Sequence, residues 1–332
     1  MRKALGTFAW TVATLLTAAA SATAQEGKDA KPPAEEAAGP RLRVRFLETR
    51  QRGEKATTVP ACSVVLHTGD KGAFVFVGTQ VGLRTSDRTA PAVMFKNAGV
   101  QVQVSAAALP DGRYRLDASF EAGSALGAGG GTEGSNEGNP VLQVVKAESR
   151  MVVREGETVP FASAVDTVTG EVVRIDLVVE PAPAAKVSVA ALGPDARLRA
   201  RLVLHRRQGG KTIASRPYSV ALPAGEEKQA NVFGGAMLPL EVTVQGQTTV
   251  MLKDIGAGMR LGSRRLADGR HRVDLSLSDG TLAATSGSPR VQAFQAESRL
   301  YLREGETLVV ASAVDPQTGD VVEAELTIEA AR

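Results

Sequence analysis

Val100-Gln-Val-Gln-Val-Ser105, then Leu109-Pro-Asp-Gly-Arg113, then Tyr114-Arg-Leu-Asp-Ala-Ser-Phe-Glu121: these three consecutive pieces decide the fold of the chain. In the first, Val100, Val102 and Val104 alternate with Gln101, Gln103 and Ser105. In the third, Tyr114, Leu116, Ala118 and Phe120 alternate with Arg115, Asp117, Ser119 and Glu121. A period of two places one set on a buried face and the other in water, which is the pattern of a half-buried strand. The Pro-Asp-Gly between them supplies the residues a tight reversal needs, so the pair reads as a β-hairpin.

The same pattern returns later in the chain. Asp111-Gly112-Arg113 aligns with Asp268-Gly269-Arg270 at an offset of 157 residues, after which His271, Val273, Leu275 and Leu277 take the inward positions. Leu42-Arg43 aligns with Leu198-Arg199, and Ser63-Val64 with Ser219-Val220, both at 156. Further on, Ala147-Glu-Ser-Arg150, Arg154-Glu-Gly-Glu-Thr158 and Ala162-Ser-Ala-Val-Asp166 match Ala296-Glu-Ser-Arg299, Arg303-Glu-Gly-Glu-Thr307 and Ala311-Ser-Ala-Val-Asp315 at 149. The shrinking offset places a deletion where the first copy carries a Gly-rich run, 123–140, which reads as a surface loop. A final hairpin turns at Asp166 to Gly170 and ends in Val173, Ile175, Leu177 and Val179, mirrored by Val322, Ala324, Leu326 and Ile328. No window suits a long helix.

The expected architecture is all-β: two tandem antiparallel modules, each a sandwich or open barrel of about eight or nine strands, at 41–180 and 197–332 with a linker at 181–196. Residues 1–24 read as a secretory signal peptide, with Arg2 and Lys3, an apolar stretch from Leu5 to Ala20 and a small-residue Ala22-Thr23-Ala24 cleavage site. Residues 25–40 have little to bury and read as a tether. The expected location is the periplasm or the exterior of a double-membraned bacterium. No segment of the mature chain has the ~20 apolar residues of a membrane-spanning helix.

With Arg2 and Lys3 removed, the formal charge falls from +3 to +1. That field is too weak to favour nucleic acid as a partner. The single cysteine, Cys62, excludes an internal disulfide, and with only three histidines there is no zinc or redox spacing. A site belonging to the module should leave traces in both copies, yet His67 aligns with Pro223, His205 with Thr49 and His271 with Tyr114. Gly129-x-Gly131-x-x-Gly134 sits in the Gly-rich run with no helix after it, and Gly210-Lys211-Thr212 occupies a hairpin turn; neither reads as a phosphate loop. No catalytic residue, cofactor or metal is assigned.

The shared charged residues are the candidates for an interaction surface. Arg41, Arg43 and Arg45, matched by Arg197, Arg199 and Arg201, form a same-facing ladder on the opening strand of each copy. Such ladders suit an anionic envelope polymer or a partner's acidic edge, and they equally suit pairing with a neighbouring strand's carboxylates. Glu148 and Arg150, matched by Glu297 and Arg299, share a strand face, where opposite charges pair across strands. Three functional readings follow: a non-catalytic structural or protein-interaction module with another envelope protein as partner, a binder of an anionic envelope polymer, and a hydrolase built on Glu148 and Glu297.

The second half of each copy resembles the C-terminal region of secretins, the outer-membrane channel proteins of type II and III secretion systems. The resemblance rests on the strand from Ala98 to Val104, the Asp-Gly turn, the strand ending near Gly123-Ser124, the Gly-rich run and Val153-Arg-Glu-Gly-Glu-Thr158. Where secretins carry a Gly-Gly-Leu step, this chain has Ala162-Ser163-Ala164 and Ala311-Ser312-Ala313. The resemblance implies a related β-module in the envelope and carries over no functional residue.

Overall fold

A computed structural model describes residues 39–84, 93–126, 141–165, 170–183, 186–187, 198–222, 228–244, 247–283 and 290–330. The stretch read as a signal peptide, nearly all of that read as a tether, residues 127–140 of the Gly-rich run, residues 166–169 of the final hairpin turn of the first copy and most of the stretch read as a linker lie outside these. The described chain is all-β, and 38–332 forms one compact unit.

The first copy supplies eight strands: β1 (Arg41–Arg52), β2 (Lys55–His67), β3 (Ala73–Arg84), β4 (Val93–Ala108), β5 (Tyr114–Leu126), β6 (Val141–Val153), β7 (Thr158–Val165) and β8 (Val172–Pro181). A short β9 (Lys186–Val187) lies between the copies. The second copy supplies β10 (Leu198–Gln208), β11 (Lys211–Leu222), β12 (Lys228–Val244), β13 (Gln247–Arg265), β14 (His271–Ala283), β15 (Arg290–Leu302), β16 (Glu306–Val314) and β17 (Val321–Ala330).

These strands build two open antiparallel sheets. One runs β11-β10-β17-β16-β2-β1-β8-β7, with β9 beside β16; the other runs β12-β13-β14-β15-β3-β4-β5-β6. In each sheet the four strands of one copy sit beside the four equivalent strands of the other. The copies meet where β16 pairs with β2, Ala311 opposite Val64 and Ala313 opposite Cys62. In the other sheet β15 pairs with β3, from Arg290 opposite Val81 to Glu297 opposite Phe74. Both sheets therefore run without a break through the two copies. Neither closes into a barrel.

The alternation read from the sequence is the alternation of burial. Val102, Val104, Leu116 and Phe120 are fully covered, as are Val44, Phe46, Ile175 and Leu177 of the first sheet and Leu326 and Ile328 of its second-copy half. These inner faces make one core in which Phe46 stacks on Phe120 with ring centroids 5.8 Å apart and meets Phe161 edge-on at 5.7 Å. Phe161 reaches the core because of a bulge between Pro160 and Ala162, repeated in the second copy between Val309 and Ala311, where Val310 is buried.

The Asp-Gly turns superpose bond for bond. Leu109 N donates to Arg113 O at 2.8 Å and Gly112 N to Leu109 O at 3.1 Å; Leu266, Arg270 and Gly269 repeat both distances. Gly112 and Gly269 have φ of 81° and 79°, a left-handed conformation that glycine adopts without steric cost. A second glycine device was not evident in the sequence. Gly78 lies opposite Gly99, and Gly235 opposite Gly256. A Cβ on Gly78 would stand 2.3 Å from Ala98 O, and one on Gly235 2.2 Å from Ile255 O. Two long hairpins thus cross at points where only glycine fits. The strand β5 continues through Gly123 to Leu126, paired with Val141 to Val144, so the first part of the Gly-rich run is sheet.

Candidate interaction surface

The arginine ladders lie on β1 and β10, inside the first sheet, flanked by β8 and β17. Arg45 Nη1 stands 2.8 Å from Glu180 Oε1, Arg199 Nε 3.0 Å from Glu329 Oε1 and Arg41 Nη1 2.7 Å from Glu306 Oε1. Arg43 faces Glu180 across the ladder, and burial holds its guanidinium below the ordinary arginine range against the pull of that carboxylate. Arg201, opposite Ser219 and Thr327, is exposed. Arg197 lies outside the described residues. The strand register thus gives three of these arginines a carboxylate partner within the sheet.

The second candidate set lies on β6 and β15. Arg150 pairs with Asp117 across β5 and β6, and Arg299 with Asp274 across β14 and β15, the latter at 2.6 Å. Glu148 accepts from Lys146 at 2.9 Å, and Glu297 from Ser276 Oγ at 3.2 Å. In the adjoining turns, Glu157 Oε2 accepts from Arg154 N at 2.8 Å and Glu306 Oε2 from Arg303 N at 2.6 Å. The charges kept in both copies are joined by cross-strand pairs and turn caps. Among the described residues no group of three or more His, Cys, Asp or Glu is placed to hold a metal ion.

Polar residues absent from the shared set gather at the junction of the copies. His67 is buried, its Nδ1 donating to Gly39 O at 3.0 Å, and its ring meets Tyr301 edge-on at 4.8 Å. Tyr301 donates to Asp70 at 3.2 Å, and Arg41 Nη2 donates to Tyr301 O at 2.8 Å. Ser298 Oγ donates to Val65 O at 2.8 Å, tying β15 to β2 across the two sheets. Burial, and secondarily the charges of Arg41 and Arg270, push the His67 imidazole down to about 4 despite its bond to Gly39. The sequence marked His67 only as private to one copy, and the tertiary structure shows that it belongs to the seam. His205 bonds Ser215, and His271 is buried beside β15.

A cavity of about 570 Å³ opens near Val59, Val100, Val145 and Val173. Its charged residues are already engaged: Glu48 accepts from Arg50 at 2.5 Å, and Asp315 accepts from Gln292 and from Gln317 N. Cys62 is buried, with its thiol pushed far above its usual range by that burial.

The ends of the sheets differ from their middle. At one end lie β6 and β7, at the other β11 and β12, so that among the described residues each sheet finishes on an edge strand at both ends. Val144 and Val152 on β6, Val165 on β7, Ile213 on β11 and Phe233 and Met237 on β12 are exposed, as are Val59, Val172, Leu252 and Leu282 on inner strands. Uncovered apolar edge strands are templates for further pairing.

No protein-family model and no curated protein matches the chain. Among solved structures the chain is similar to secretins. The secretin InvG of the Salmonella SPI-1 type III secretion injectisome matches with a TM-score of 0.30 and 13% identity over 47% of this chain and 66% of that one. The type II secretin GspD of enteropathogenic Escherichia coli gives 0.29 and 9% over 88% and 69%. The type IV competence pilus secretin PilQ of V. cholerae gives 0.24 and 12% over 88% and 60%. In the first three such matches this chain spans 66%, 46% and 63% of the other's length. The resemblance to secretins is weak in each of these matches.

Proposed function

We propose that this protein is a non-catalytic structural or protein-interaction module, exported to the bacterial envelope, whose sheet ends join it to a larger secretion or surface assembly. The observation that carries this reading is the pair of open ends, where strands with apolar residues stop without a neighbour among the described residues. The charged residues common to both copies, engaged in turn caps and cross-strand pairs, support a role without chemistry.

The test is the state of the full chain in its own cells. Native electrophoresis of gently solubilised envelope, probed with an antibody to the protein, is expected to find it in a complex well above the monomer mass. Recovery of the chain only as a monomer, or only from the cytoplasm, overturns the reading.

A further inference from the structure

We infer that the partner at these sheet ends is a second copy of the same chain, added head to tail so that β7 and β6 of one molecule pair with β11 and β12 of the next. This rests on the interaction reading above and names its partner. The template is inside the molecule. The covered strands of the seam are β16, β15, β2 and β3; their equivalents in the other copy are β7, β6, β11 and β12, and these four are the uncovered edges. A molecule whose two ends are the two halves of its own internal junction is complementary to itself, and repeated addition of this kind is heterologous.

Burial follows the same logic. Along β16 the side chains from Thr307 to Val314 are each one grade more covered than their equivalents Thr158 to Val165 on β7. Leu308 and Ala313 are buried where Val159 and Ala164 are half-buried. On the opposite edge, Cys62 and Val64 are buried where Tyr218 and Val220 are half-buried. The core-facing side chains are present at the ends, and no described strand of the same molecule finishes covering them.

The seam also fixes the register. Ala311 opposite Val64 and Ala313 opposite Cys62 translate into Ala162 opposite Val220 and Ala164 opposite Tyr218 of the next molecule. In the second sheet, Ala293 opposite Gly78 and Ala296 opposite Val75 translate into Val144 opposite Gly235 and Ala147 opposite Val232. The cross-sheet bond from Ser298 to Val65 O translates into Ser149 donating to Ala221 O. Pro160 and Pro217, neither with a counterpart in the seam, bracket the window from 162 to 164 and from 218 to 220, and proline offers no N–H to a ladder. They leave one short stretch able to pair, which disfavours slipped registers. The seam's His67 and Tyr301 correspond to Pro223 and Val152, so its polar lock has no copy at the ends, and the junction between chains is the weaker of the two.

The experiment uses the mature chain with Cys62→Ala as background. Sedimentation velocity over a wide concentration range is expected to show mass growing beyond a dimer, since each added molecule exposes a fresh end. Ala162→Cys in one preparation and Val220→Cys in another are expected to form a disulfide dimer only when mixed. Ala162→Cys mixed with Ile213→Cys, which lies out of register, is expected to give at least ten-fold less. Phe233→Lys and Val144→Lys, both at exposed positions, are expected to suppress growth while leaving the melting temperature of the dilute protein unchanged. A chain that stays monomeric at several hundred micromolar, or that cross-links equally well in both pairings, overturns the inference. If such a chain still migrates in a large envelope complex, the proposed function stands with a different protein at the ends.

Discussion

The strands β7 and β16 carry nearly the same sequence, Thr-Val-Pro-Phe-Ala-Ser-Ala-Val and Thr-Leu-Val-Val-Ala-Ser-Ala-Val, with the same bulge and the same hairpin partner. The inward side chains of β16 are buried and those of β7 are half in water, because β2 and the short β9 pair with β16 and nothing in the described chain covers β7. Burial here is a property of the neighbour as much as of the residue. The two strands are natural controls for each other.

The largest contrast is expected from truncating equivalent apolar residues. Leu308→Ala removes a fully buried side chain from the seam and should cost ~2–5 kcal/mol, whereas Val159→Ala at the uncovered edge should cost under ~1 kcal/mol. Urea unfolding of the two variants at low protein concentration measures both; equal losses would mean that the edge is as well packed as the seam.

Next comes the pH dependence of the seam. Above about pH 6.5 the His67 imidazole is neutral in the folded and unfolded chains and adds no slope. As pH falls from there towards about 4, the unfolded chain takes up a proton that the buried His67 refuses, so stability declines through that window, by up to ~3 kcal/mol. Below about 4 both states are protonated and the contribution levels off. His67→Gln should flatten the dependence between pH 7 and pH 4.5 in thermal melts, and an unchanged dependence would mean that His67 is not what sets it.

A smaller difference is expected between arginines of one ladder. Arg41→Ala leaves Glu306, whose side chain is 8% exposed, without its cation and should cost ~1–3 kcal/mol. Arg45→Ala removes a pair with side chains 36% and 31% exposed and should cost under ~1 kcal/mol. Loss of both by the same amount, read from chemical denaturation, would place Arg41 on the surface. The smallest contrast is Arg299→Ala against Arg150→Ala: the first sits in the covered strand and should lower the melting temperature by a degree or two, and the second should leave it unchanged.

Much of the fold was legible in the sequence. The inward sets Val100–Val104, Tyr114–Phe120 and Val173–Val179 are buried as their period of two requires, and both Asp-Gly turns form with the same bonds. The glycine crossings at Gly78–Gly99 and Gly235–Gly256 were not legible, since a close backbone approach leaves no periodic trace. The shared charges were visible as candidates, but their carboxylate partners depend on strand register. Arg45 and Glu180 are 135 residues apart, and only the pairing of β1 with β8 brings them together.

The sequence by itself determined the duplication, the strands, their inward faces and their turns, because each depends on the order of residues over a dozen positions. Tertiary structure alone decided that the two copies share both sheets, that His67 and Tyr301 lie in the seam between them, and which strands are left as edges. The physical reason is that a strand's hydrogen-bonding edge looks the same from within whether or not it has a neighbour. Equivalent strands are therefore alike in sequence and differ only in what lies beside them.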